Sequence, residues 1–114
     1  NMLDNFLKKI KTKKKLQIFI FTQFYNKNLK MFNKFQYVKY CYKVSPYKSF
    51  MSLIYADILL TSKSSFSYKA GLINNGIKIS PKDFWHGYPK KDKNWILTNS
   101  NGRLIQHNKN IILK

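Results

Sequence analysis

Over residues 16–80, short and nearly continuous apolar runs alternate with segments whose apolar side chains recur every three or four positions. Residues 16–22 (Leu-Gln-Ile-Phe-Ile-Phe-Thr) are β-branched and aromatic, the pattern of a strand buried on both faces. Residues 38–43, 57–62 and 77–80 read as further strands, the last closed by Pro81. Between them lie helical groupings: Leu29, Met31, Phe32 and Phe35 in 26–35; Tyr47, Phe50, Met51 and Ile54 after Ser45-Pro46; and Phe66, Ala70 and Ile73 in 64–75. Ser45 is a suitable cap and Pro46 a suitable first helical residue, because its missing N–H would have had no partner there. Gly76 stands where a left-handed helix terminator belongs. Leu3, Phe6, Leu7 and Ile10 add a helix over 3–15, ended by the basic run Lys13-Lys14-Lys15. Strands separated by helices and joined by short connections predict an α/β fold, a parallel sheet with flanking helices in the doubly wound manner.

Beyond Pro81 the pattern changes to an aromatic loop, Phe84-Trp85-His86-Gly87-Tyr88-Pro89, followed by a strand over 94–98. Asn99 to Gly102 is turn chemistry. Residues 103–106 and 110–113 can pair across His107-Asn108-Lys109, making 99–114 a tail or hairpin after a domain spanning 1–98. A chain of 114 residues fits one domain at most, and a domain this small buries only about two thirds of its unfolded surface. It opens Asn1-Met2, from which we expect an artificial N-terminus and a missing N-terminal part of the same protein.

The formal charge is +18, with 22 basic residues, all lysine except Arg103, and no glutamate. Clustered lysine favours polyanions, yet arginine is the preferred bidentate reader of phosphate and guanine. Abundant Asn, Ile, Phe and Tyr beside Lys is the product of AT-rich codons, so nucleic acid is expected to bind only non-specifically. The 19 aromatic residues leave a basic RNA- or ribosome-associated protein as the rival reading. Cys41 is the sole cysteine, which excludes an intrachain disulfide and a cysteine-built zinc site and mildly favours a cytoplasmic or otherwise reducing environment. No apolar stretch reaches the roughly 18 to 20 residues of a membrane helix.

The stretch richest in chemistry is 56–76, where a buried strand delivers the chain into Ser62-Lys63-Ser64-Ser65-Phe66-Ser67 and a helix begins. In open α/β sheets ligands bind beyond the carboxyl ends of the strands, and a helix start offers N–H groups and a positive dipole end to an anion. Ser62, Ser64, Ser65 and Ser67 add hydroxyls and Lys63 adds charge. Capping is the competing use of such serines, although four in six positions exceed what a cap needs.

Ser62 to Ala70, preceded by Ala56-Asp57-Ile58-Leu59-Leu60 and followed by Phe84-Trp85-His86 and Trp95-Ile96, resembles the C-terminal motif region of the α-1,2-fucosyltransferase family and related sugar transferases. The resemblance covers 16–96 in element order and is specific over 45–96. It implies a Rossmann-like fold, the C-terminal part of the donor-binding domain of a GT-B type glycosyltransferase. The donor it implies is a nucleotide sugar, GDP-fucose in the fucosyltransferases themselves, and the acceptor a hydroxyl on a glycan or other molecule. Ser64 and Ser65 would contact the donor diphosphate, Phe66 would pack beneath, and Ser67 would support the turn.

Two departures matter. The family's His-x-Arg-Arg-x-Asp motif is absent, so on this reading the chain by itself is inactive, and the catalytic base and key arginine lie elsewhere. Where the family places an acidic residue before the Asp57 strand, this chain has Lys48-Ser49-Phe50. Trp85 and His86 are candidates for the sugar pocket, with His86 also a candidate to act on the acceptor proton; an ordinary loop histidine is the plainer alternative. Asp57 reads as a turn acceptor, while Asp83 and Asp92 do not form an acid/base pair. No cofactor and no metal are expected, the leaving diphosphate being neutralised by protein cations.

Overall fold

A computed structural model describes residues 10–11, 16–22, 37–84, 87–99, 103 and 111–112. In chain order the elements are β1 (Ile10–Lys11), β2 (Ile18–Thr22), β3 (Val38–Tyr42), α1 (Pro46–Ile54), β4 (Ile58–Leu60), α2 (Ser65–Ile73), β5 (Ile77–Pro81), β6 (Trp95–Thr98) and β7 (Ile111–Ile112). Among the described residues every strand pair is parallel: β1 with β7, β2 with β3, β4 with β5, and β5 with β6. The protein is thus α/β with parallel sheets.

The strands fall into two pairs and one three-stranded sheet, ordered β4-β5-β6. The four expected strands do form, in two parallel pairs, but β3 and β4 share no ladder among the described residues. Residues 16–22 are also less enclosed than their apolar run suggests: Phe19 is half exposed and no residue of β2 is fully buried. The helix expected over 3–15 is not present at Ile10–Lys11, which pair with Ile111–Ile112 instead. The remainder of 3–15 and all of 26–35 lie outside the described residues, as does most of the proposed C-terminal hairpin.

The core is centred on β4, β5, β6 and the inner face of α2, with Leu59, Ala70, Ile79, Trp95 and Ile96 buried. Burying a side chain such as Ile79 is worth about 1.5–3 kcal/mol. α1 starts as expected, with Ser45 Oγ accepting from Lys48 N at 3.3 Å and Pro46 at the first position. Its expected apolar face is only part-buried, and Tyr47 is 74% exposed.

α2 buries Ser67, Ala70 and Gly71, rather than the expected stripe of Phe66, Ala70 and Ile73. The small residues face inward because α2 lies directly on Trp95: a Cβ at Gly71 would stand 2.9 Å from Trp95 Cη2. Phe66 and Ile73 are left exposed. Phe66 meets Phe50 of α1 edge-on at 5.3 Å, while Asn74 at the far end of α2 bonds to Leu53 O, so the two helices run side by side in the same direction.

Gly76 is not a left-handed terminator. Asn74 caps α2 in an extended conformation, its N–H donating to Ala70 O at 2.9 Å. Gly76 is needed for close approach, because a Cβ there would strike the Asp57 carbonyl oxygen and lie 3.2 Å from Ala56 O.

Candidate functional site

The serine turn emerges from the carboxyl end of β4. Its base is held by a buried polar layer: Thr61 N extends the ladder to Ile79 O at 2.9 Å, and the Thr61 and Ser80 hydroxyls share a hydrogen bond of 2.6 Å. Trp95 Nε1 donates to the same Ser80 oxygen at 2.8 Å. Three consecutive strands are thereby tied together directly under the turn.

Within the turn the serines divide by role. Ser64 is the N-cap of α2, its Oγ accepting from Ser67 N at 3.2 Å. Ser67 is buried, and its hydroxyl donates to Ser62 O and Ser64 O at 3.2 and 3.3 Å, alternatives for a single proton. It also shares a bond of 2.9 Å with Ser64 Oγ. These two hydroxyls are engaged in holding the turn, which is the supporting role expected of Ser67 and the capping alternative for Ser64. Ser62 and Lys63 are exposed, and Ser65 opens the helix half-buried. Phe66 is 43% exposed beside Phe50 rather than beneath the turn. Trp85 and His86 lie outside the described residues. Asp57 is exposed and bonds through its backbone carbonyl, which accepts from Ile77 N at 3.1 Å.

Flanking α2 is an aromatic cluster of Tyr68, Phe84, Tyr88 and Trp95, with centroids 5.3 to 6.5 Å apart. The Tyr68 hydroxyl donates to Gly87 O at 2.6 Å and that of Tyr88 to Pro81 O at 2.7 Å. The loop after β5 is therefore anchored to the helix that carries the serines. Burial pushes the Tyr88 hydroxyl above its usual pKa, against a hydrogen bond with Ser80.

Two polar centres gave no sequence signal. Lys78, inside β5, is buried, its Nζ donating to Asn74 O and Asp92 Oδ2, both at 2.9 Å. That hydrogen bond holds the Asp92 carboxyl below the usual carboxylate range. Asn74 is buried and donates through Nδ2 to Leu53 O at 2.8 Å and Ala56 O at 2.9 Å, while its Oδ1 accepts from Gly76 N at 2.6 Å. A buried Lys or Asn is indistinguishable in sequence from an exposed one when its partners lie up to 21 positions away.

Among the described residues no three His, Cys, Asp or Glu are grouped to hold a metal ion, and no helix is long and apolar enough to cross a membrane. No protein-family model, curated protein or solved structure matches this chain.

Proposed function

We propose that the chain supplies the donor-diphosphate site of a fucosyltransferase-like glycosyltransferase, as the C-terminal part of a Rossmann-like, GT-B type donor domain. The observation that carries this reading is the β4–turn–α2 unit. A serine-rich turn stands at the carboxyl end of a parallel strand and leads into a helix, the position where α/β sheets take anionic ligands. Ser64 and Ser67 shape the turn, Ser65 and Ser62 present hydroxyls to a donor diphosphate, and Lys63 adds positive charge. Transfer to an acceptor hydroxyl is favoured when the leaving diphosphate is held by such groups. The arginine motif and the base come from elsewhere in the complete enzyme.

The test is titration of the full chain with GDP and UDP, using Ser65→Ala and Ser64→Ala. Loss of a hydrogen bond to a charged group costs about 1.5–3 kcal/mol, so Ser65→Ala should weaken nucleotide binding at least about tenfold. Unchanged affinity for both nucleotides in Ser65→Ala would make the serines purely structural.

A further inference from the structure

The outer surface of the α1–α2 pair combines exposed rings, exposed lysines and an absence of carboxylates. Tyr47 is 74% exposed and Phe66 43%. Phe50 links their two helices, lying one helical turn after Tyr47 and meeting Phe66 edge-on at 5.3 Å. Lys48 directly follows Tyr47, Lys69 lies one helical turn after Phe66 and Lys63 three positions before it, and all three are exposed. Neither helix contains an acidic residue, and Asp57 is the only carboxylate between positions 5 and 82.

A large apolar ring that stays in water on a folded surface is ordinarily diluted by charges of both signs. Here the neighbours are of one sign only, so a carboxylate-bearing and a phosphate-bearing partner are both favoured by charge. The rings decide between them. A nucleic-acid strand presents a flat π-face beside every negative charge, and stacking on a protein ring is indifferent to which base is presented. Lysine without arginine neutralises phosphate without reading sequence.

We infer that the Tyr47–Phe66 face of α1 and α2 is a docking surface for single-stranded nucleic acid, with bases stacked on the two rings and phosphates held by Lys48, Lys63 and Lys69. Binding is sequence-blind, depends on unpaired bases and weakens steeply with salt. The surface overlaps the proposed diphosphate site only at Lys63; Tyr47, Lys48 and Lys69 have no part in that site.

The experiment measures binding of the full chain to a fluorescent 12-nucleotide oligouridylate, a duplex of the same length and a size-matched heparin oligosaccharide, which carries charge but no bases. Tyr47→Ala should weaken oligouridylate binding about fivefold or more and leave heparin binding unchanged. Phe66→Leu, which keeps an apolar contact with Phe50, should do the same. Lys48→Ala combined with Lys69→Ala should reduce the slope of log affinity against log salt by about 1.4, two phosphate contacts at about 0.7 each for a single strand. Circular dichroism and melting of each variant separate a lost contact from a lost fold. Equal losses for oligouridylate and heparin, no loss in either ring variant, tighter binding of the duplex, or displacement by polyglutamate that is itself sensitive to Tyr47→Ala would each overturn the assignment.

Discussion

The ammonium of Lys78, only 3% exposed, sits 2.9 Å from Asp92 Oδ2, so the middle strand of the three-stranded sheet is tied by charge to the loop that leads into β6. Nζ also donates to the carbonyl of Asn74 and lies 5.5 Å from the centroid of the Trp95 ring. Removing the carboxylate leaves a buried cation with a single carbonyl partner. Asp92→Ala should therefore destabilise the protein by about 1–2 kcal/mol, less than for a fully enclosed pair because Asp92 is 31% exposed. Lys78→Met, which removes the charge and keeps the stem, should cost less than Asp92→Ala. Urea unfolding of the two variants tests that order.

Acid sensitivity follows from the same pair. The folded-state pKa of Asp92 is lowered, chiefly by the hydrogen bond from Lys78. Its contribution is consequently full above the unfolded value of about 3.9 and is lost as pH falls through the lower folded value. The urea midpoint should show no Asp92-dependent change between pH 7 and 5 and should fall below about pH 4. Asp92→Asn should flatten that fall. A variant with the same acid profile as the parent would show that the pair does not contribute.

Asn74 joins the ends of both helices to the start of β5. Asn74→Ala leaves the Ala56 carbonyl and the Gly76 amide without their partner, while Leu53 O keeps the Ala56 amide. Each orphaned buried group costs about 1–3 kcal/mol where water cannot reach it. We expect a loss of at least about 2 kcal/mol, seen as a lowered melting temperature, with a larger effect than alanine at exposed Asn75.

At Gly76 the added Cβ of alanine would press on backbone atoms of Ala56 and Asp57, which cannot rotate aside. Gly76→Ala should cost about 1–3 kcal/mol by overpacking. Gly87→Ala is the control, since a Cβ there meets nothing within 4 Å. Equal melting temperatures for the two variants would contradict this placement of Gly76.

Ser64→Ala removes a helix cap. It should lower stability by about 1 kcal/mol, whereas Ser62→Ala, at an exposed position, should leave stability within about 0.5 kcal/mol of the parent. Chemical denaturation of the two variants separates the serine that caps the helix from exposed Ser62, whose Oγ makes only a long 3.5 Å contact with Ser67 Oγ.

By itself the sequence determined which segments become strands and helices over 38–81, and that the strands run parallel. Those properties follow from short-range causes: the β-branched runs, Ser45 and Pro46 at one helix start, Ser64 at the other, and connections long enough only for crossovers through a helix. The tertiary structure decided which side of each element is buried. α2 turns Ser67, Ala70 and Gly71 inward and leaves Phe66 and Ile73 in water, because the bulk of Trp95, contributed from beyond position 90, fills the space that a helix with a large-residue face would need. The same long-range packing placed Lys78 in the core by bringing Asp92 to it. A side chain's partner across the fold is not encoded in its neighbours along the chain, so these choices emerge only when the strands are assembled.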